Sequence, residues 1–199
     1  MTEHEKMQQE LWYDANNDKE LLNLREDAEE LCYLLNQTSP KMKKKREEIM
    51  GKLLPNRGKK TTILTPFYTD YGFYCFIGDN TFINHNAYLM DCAPIRIGSD
   101  CFIGPNCGMY TAIHPLVAEE RNQGIEKAKP IKIGNNVWIG ADVTILSGVK
   151  IGENSVIGAK SVVTKDIPAN VIAVGNPCRV LRKITEQDRI GYSACYIKK

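Results

Sequence analysis

The chain has 199 residues, with 26 Lys and Arg against 24 Asp and Glu and a formal net charge of +2. So small an imbalance excludes a polyanion such as nucleic acid as the expected partner, and no apolar run approaches the roughly 18 residues of a membrane span. The polar start Met1 to Glu10 does not read as a signal peptide, so a cytoplasmic protein of one compact unit plus an appendage is expected.

Residues 1–60 read as a helical segment. Leu21, Leu24, Ala28, Leu31 and Leu35 recur at spacings of three and four, an amphipathic stripe that begins near Asp18 and stops before Thr38-Ser39-Pro40. Met42, Arg46, Ile49 and Leu53 form a second stripe that runs to Leu54-Pro55. The basic run Lys41 to Arg46 is the solvated face of that helix, since Glu47 and Glu48 cancel part of its charge. A segment of this kind suits the cap that a stack of repeats needs at its open end.

From Ile77 to Val163 an aliphatic residue returns on a six-residue beat: Ile77, Ile83, Leu89, then after two extra residues Ile97, Ile103, Met109, then after a long interruption Ile133, Ile139, Ile145, Ile151, Ile157 and Val163. Neither a helix nor a meander of hairpins has this period. Each unit is too small to bury its own apolar face, so the units must stack. Gly, Asn or Asp follow the aliphatic residue, as in Ile77-Gly78-Asp79-Asn80 and Ile133-Gly134-Asn135-Asn136, and mark a turn after each short strand. With three units closing one triangular coil, the twelve units give four coils. Thr81, Ala87, Ala93, Cys101, Cys107, Val137, Val143, Val149, Ser155 and Ser161 occupy a second phase, where a narrow interior accepts only modest volume. The coil domain is taken as 61–184 and the carboxy-terminal tail as 185–199.

The largest break in the beat surrounds His114. The register positions 115, 121 and 127 are Pro, Arg and Lys, so a loop of about 112–130 leaves the coil, with His114 at its root. The chain has only three histidines, His4, His85 and His114, and no nucleophile elbow or phosphate-binding loop. The seven cysteines, Cys32, Cys75, Cys92, Cys101, Cys107, Cys178 and Cys195, form no close metal-binding pair and read as reduced packing residues.

Several of these runs resemble the maltose/galactoside O-acetyltransferases of the hexapeptide-repeat superfamily: Phe82-Ile83-Asn84-His85-Asn86, Thr111-Ala112-Ile113-His114-Pro115, Ile131 to Gly140, Val162 to Pro168 and Gly175-Asn176-Pro177-Cys178-Arg179-Val180. The resemblance implies a mainly β fold, a left-handed parallel β-helix with an amino-terminal α-helical segment, assembled as a homotrimer with active sites between subunits. It further implies acetyl-CoA as cosubstrate, a sugar as acceptor, no metal, and His114 as a general base for direct transfer to a hydroxyl. Asn84 is implied as a helper at the reacting oxygen, and Asp14, Asp70, Asn84 and Asp91 as acceptor ligands. The run Leu89-Met90-Asp91-Cys92 departs from relatives with two successive aspartates, which leaves open whether Asp91 or Cys92 takes that place. For acetyl-CoA the implied contacts are Ala141, Ala159, Thr164, Lys165, Arg179 and Arg182, with Trp138 either touching ligand or only packing. A non-sugar acceptor (serine, an antibiotic or an amino sugar) is the nearest alternative. A non-catalytic scaffold and a three-histidine zinc enzyme are remoter ones.

Overall fold

The computed structural model describes residues 1–191, so Cys195 and the other residues of the expected tail from 192 to 199 lie outside the described residues. Three helices come first. Helix α1 (Glu3–Gln8) starts on a capping box in which Thr2 and Glu5 satisfy each other's backbone N–H groups. In α2 (Lys19–Gln37) the Asp18 side chain accepts from Leu21 N at 3.0 Å. This helix buries Leu21, Ala28, Cys32 and Leu35, whereas α3 (Lys43–Leu53) buries Ile49 and Leu53. Ala28, Cys32, Leu35, Ile49, Leu53 and Leu54 pack into the same core as the coil rungs and so close one end of the stack. Among the described residues no helix is long and apolar enough to cross a membrane.

The rest is a parallel β-solenoid with three faces. The first face carries Cys75–Ile77, Ile95–Ile97, Ile131–Ile133 and Lys150–Ile151, extended at both ends by the bridges Arg57 to Ile77 and Ile151 to Ile167. The second face stacks Thr62–Ile63, Phe82–Ile83, Phe102–Ile103, Trp138–Ile139, Val156–Ile157 and Val171–Val174, and Arg179–Lys183 then joins it antiparallel. The third face holds Phe67–Thr69, Ala87–Met90, Gly108–Tyr110, Thr144–Ile145 and Val162–Val163. The stack therefore has about six turns, not four. The uncounted turns fall at the ends, where the first rung of a coil is Arg57 and where Ile167 follows Val163 after only four residues, so the aliphatic beat is missing although the pairing is not.

Inside the prism, Ile83, Leu89, Met109, Ile139, Ile145, Ile157 and Val163 are fully buried. Each such side chain contributes about 1.5–3 kcal/mol of transfer free energy. The second-phase residues Thr81, Ala87, Cys101, Val137, Val143 and Ser161 are buried beside them.

The three edges of the prism differ. On the first edge Lys60, Asn80, Asp100, Asn136, Asn154 and Asn170 all adopt the left-handed conformation, φ 56–60°. The second edge repeats this at Asn86, Asn106, Asp142 and Lys160, φ 58–60°. Asn and Asp tolerate that conformation best after Gly, because a short polar side chain bonds locally. Here the side chains also bond from coil to coil: Asn86 Nδ2 donates to Asn106 Oδ1 at 3.0 Å, and Asn106 Nδ2 to Asp142 Oδ1 at 2.9 Å. At Gly140 a Cβ would meet Ala159 N of the next coil at 2.6 Å, so glycine is required for the coils to approach. The third edge breaks the hexapeptide rule in three successive coils, at residues 70–74, 91–94 and 111–130.

Candidate functional site

The irregular third edge is built around two buried polar residues. Asp91 is fully buried; one carboxylate oxygen accepts from Thr69 Oγ1 at 2.7 Å, Asp70 N at 3.1 Å and Tyr71 N at 2.8 Å, and the other from Tyr74 N at 3.2 Å. Burial pushes its pKa above the ordinary carboxylate value, although the Tyr71 N–H and Thr69 hydroxyl pull the other way. Thr111, also fully buried, donates to Met90 O at 2.6 Å and accepts from Ala93 N at 3.1 Å. These bonds satisfy the backbone that the extra residues would otherwise leave unpaired.

The long interruption is a hairpin. Ala112–Ile113 pairs antiparallel with Ile125–Ala128, and the short helix α4 (Ala118–Arg121) lies between them. Tyr13–Asp14 adds a third strand, with Asp14 opposite Ile125. The amino-terminal segment is thereby fixed next to His114, and Tyr13 OH donates to the buried Glu126. His114 is exposed at the end of its strand, with Nδ1 at 3.2 Å from Ile125 O. A carbonyl can only accept, so Nδ1 is the donor in this contact, which in the neutral ring makes Nε2 the acceptor nitrogen. Asp14 uses its carboxylate to hold the following turn, accepting from Asn17 N at 3.0 Å and Asn16 N at 3.2 Å.

A cleft of about 440 Å³ opens between α2 and the third face. Arg25, Glu29 and Cys32, at helical spacing on one side of α2, face Tyr68, Thr69, Asp70 and Tyr88. Asp70 accepts from Tyr88 OH and, at 3.5 Å, from Cys92 Sγ. Asp91 lies behind this wall, whereas Asp70 lines it. With coils about 4.8 Å apart, Asp70 and the strand leading to His114, two coils on, are separated by roughly 10 Å along the same edge.

The remaining expected residues lie elsewhere. Asn84 is on the second edge, where its Oδ1 accepts from His85 N at 2.8 Å. Ala141 and Ala159 follow on that edge in later coils, joined by the bond from Lys160 N to Ala141 O at 2.8 Å. Trp138 stands 57% exposed on the second face, in register with Phe102 and Val156. Thr164 and Lys165 are exposed on the third edge, three coils beyond Asp91. Arg179 is exposed and donates to Cys178 O at 2.7 Å. Arg182 forms a bidentate pair with Asp188 at 2.7 and 2.8 Å, the planar geometry in which a guanidinium holds a carboxylate best. One chain thus sets Asp14, Asp70 and His114 on one edge and Asn84, Ala141 and Ala159 on another. Arg25, Glu29, Tyr68 and Tyr88 line the candidate cleft and are not singled out by the sequence. Tyr68 and Tyr88 are signalled there only by the return of a tyrosine after the length of one early coil.

The comparisons agree with this architecture. Residues 6–58 match the maltose acetyltransferase hexapeptide capping motif, 94–114 the hexapeptide repeat of succinyl-transferase and 130–165 the bacterial transferase hexapeptide. A putative acetyltransferase of Staphylococcus aureus is 54% identical over 187 residues, covering 94% of each chain. A maltose O-acetyltransferase from Clostridium difficile has a crystal structure that superimposes with a TM-score of 0.90 at 47% identity, covering 94% of this chain and 99% of that one. A galactoside acetyltransferase in complex with coenzyme A gives a TM-score of 0.91 at 37% identity, covering 98% and 97%. The solenoid is the left-handed parallel β-helix of hexapeptide-repeat proteins, an exception to the right-handed crossover rule.

Proposed function

The chain belongs to the hexapeptide-repeat acetyltransferase family, close to the maltose and galactoside O-acetyltransferases, and from that membership we propose that it acetylates a sugar hydroxyl from acetyl-CoA with His114 as the base. The observation that carries this reading is the bond from His114 Nδ1 to Ile125 O, which leaves Nε2 free to accept a proton. As the acceptor oxygen attacks the thioester carbonyl, its proton passes to Nε2; the C–S bond then breaks, and the imidazolium returns that proton to the departing thiolate. Base assistance of this kind is worth about 10²- to 10⁴-fold, and holding both substrates in line supplies much of the remainder. No acyl-cysteine is needed. Burial pushes the thiols of Cys32 and Cys107 up to about 11, away from the thiolate that a nucleophile requires.

The acceptor lies in the cleft with Asp70 and Arg25, with Asp14 at the hairpin side, and Asp91 serves it by holding the backbone of residues 70, 71 and 74. Acetyl-CoA runs along the second edge, its extended arm against the backbone of Ala141 and Ala159 and beside Trp138, with Asn84 toward the reacting oxygen. Thr164, Lys165, Arg179 and Arg182 answer its phosphates, Arg182 by exchanging Asp188 for an oxyanion. Because His114 and Asn84 stand on different edges, the site is completed by the second edge of a neighbouring copy, which supports a homotrimer with three such clefts. Six unpaired cysteines among the described residues suit a cytoplasmic setting.

A thiol-release assay with acetyl-CoA, corrected for hydrolysis, tests the reading across maltose, glucose, a galactoside, an amino sugar and L-serine. The highest kcat/KM should belong to one of the three sugars; a preference for serine would overturn the acceptor assignment.

A further inference from the structure

The third face carries an aromatic panel that direct transfer does not require. Tyr68 and Tyr88 are in register on adjacent coils, and Gly108 follows Tyr88 in the next. At Gly108 the outward column loses its side chain. A Cβ there would lie 2.5 Å from ring carbons of Tyr110, so only glycine lets Tyr110, two residues on, fold back over the strand. The Tyr110 ring then meets Tyr88 edge to face, with centroids 5.9 Å apart and planes at 87°. Aromatic quadrupoles favour that arrangement. This contact fixes the Tyr88 ring, which lines the cleft and donates its hydroxyl to Asp70. Cys92 Sγ donates to the other Asp70 oxygen at 3.5 Å. A carboxylate has about four acceptor sites, so about two remain open, enough for two neighbouring hydroxyls.

Resting on the acetyl-transfer reading above, we propose that Tyr88, positioned by Tyr110 over Gly108, is the residue that selects a cyclic acceptor, a pyranoside whose C–H face lies on the tyrosine ring while adjacent hydroxyls bond Asp70. A linear hydroxyl compound has no flat apolar face to offer and cannot hold two hydroxyls at fixed separation without losing conformational entropy. Tyr88 is a specificity-determining residue through its own contact; Tyr110 and Gly108 act through it and are positioning residues.

The test is steady-state kinetics of the full chain with methyl glucoside and with glycerol as acceptors, for the wild type, Tyr88→Phe, Tyr110→Ala, Gly108→Ala and the double variant Gly108→Ala/Tyr110→Ala. In Tyr88→Phe the loss of a hydrogen bond to a charged partner should raise the methyl glucoside KM about tenfold, with a much smaller change in kcat and in the KM for glycerol. Tyr110→Ala should move the same KM in the same direction. Gly108→Ala should lower the melting temperature, and adding Tyr110→Ala should restore it while the methyl glucoside KM stays raised, which separates recognition from folding. An unchanged KM in both Tyr88→Phe and Tyr110→Ala, with methyl glucoside still acetylated, overturns the role of the panel alone. A wild-type protein that acetylates glycerol and no pyranoside overturns the sugar reading and the panel together.

Discussion

From Ile139 to Ile151 the second and third edges of the prism are made from the same chain length, yet the two edges solve different problems. On the second edge four coils each turn through one left-handed Asn, Asp or Lys, and the side chains of Asn86, Asn106 and Asp142 bond from coil to coil. The third edge gives up the repeat in three early coils, replaces amide ladders with Asp91 and Thr111, and gains room for a cleft, a hairpin and an exposed imidazole. A solenoid can host chemistry where its repeat is interrupted only if each interruption satisfies its own backbone.

Breaking the two edges should have unequal costs. Asp91→Ala removes the acceptor of three backbone N–H groups and one hydroxyl in a fully buried site, at about 3 kcal/mol. For a chain of this size that corresponds to a fall in melting temperature of roughly 10 °C, measurable by thermal denaturation followed by circular dichroism. On the regular edge, Asn106→Ala puts a residue without a locally bonding side chain at φ 59° and deletes two exposed amide bonds. The cost should be about 1–2 kcal/mol, and Asn106→Gly should recover most of it, since the strain is relieved while the ladder stays broken. Equal melting temperatures for Asn106→Ala and Asn106→Gly would show that the ladder, not the backbone conformation, carries the stability. The smallest effect concerns Cys32. With its thiol pushed up to about 11 by burial, roughly one part in a thousand is thiolate at pH 8. Its alkylation by iodoacetamide should be slow at pH 8 and accelerate as pH rises toward 11; fast labelling at pH 8 would mean that the cleft wall opens.

The stacked fold can be read directly from the hexapeptides, because a beat of six residues with buried Ile and Val at one phase has few other solutions. The helical cap is equally plain in α2, whose stripe and Asp18 cap are local features. The end coils escape because Arg57 and the short step from Val163 to Ile167 keep the pairing without the aliphatic signature. Within the site, His114 stands out since it sits at the largest break. The burial of Asp91 cannot be read, because whether a carboxylate after a strand turns inward depends on which backbone N–H groups the neighbouring coil aims at it. Arg25 and Glu29 are hidden for a related reason: they lie beside the apolar stripe of α2, and only the docking of that helix on the third face turns them toward Tyr68 and Tyr88.

If the irregular edge supplies the base, removing one imidazole should cost most of the rate and none of the fold. His114→Ala, purified and matched to the wild type by circular dichroism and oligomeric size, should release thiol from acetyl-CoA in the presence of maltose about 10²- to 10⁴-fold more slowly. A His114→Ala protein that acetylates maltose at the wild-type rate would mean that the base lies elsewhere.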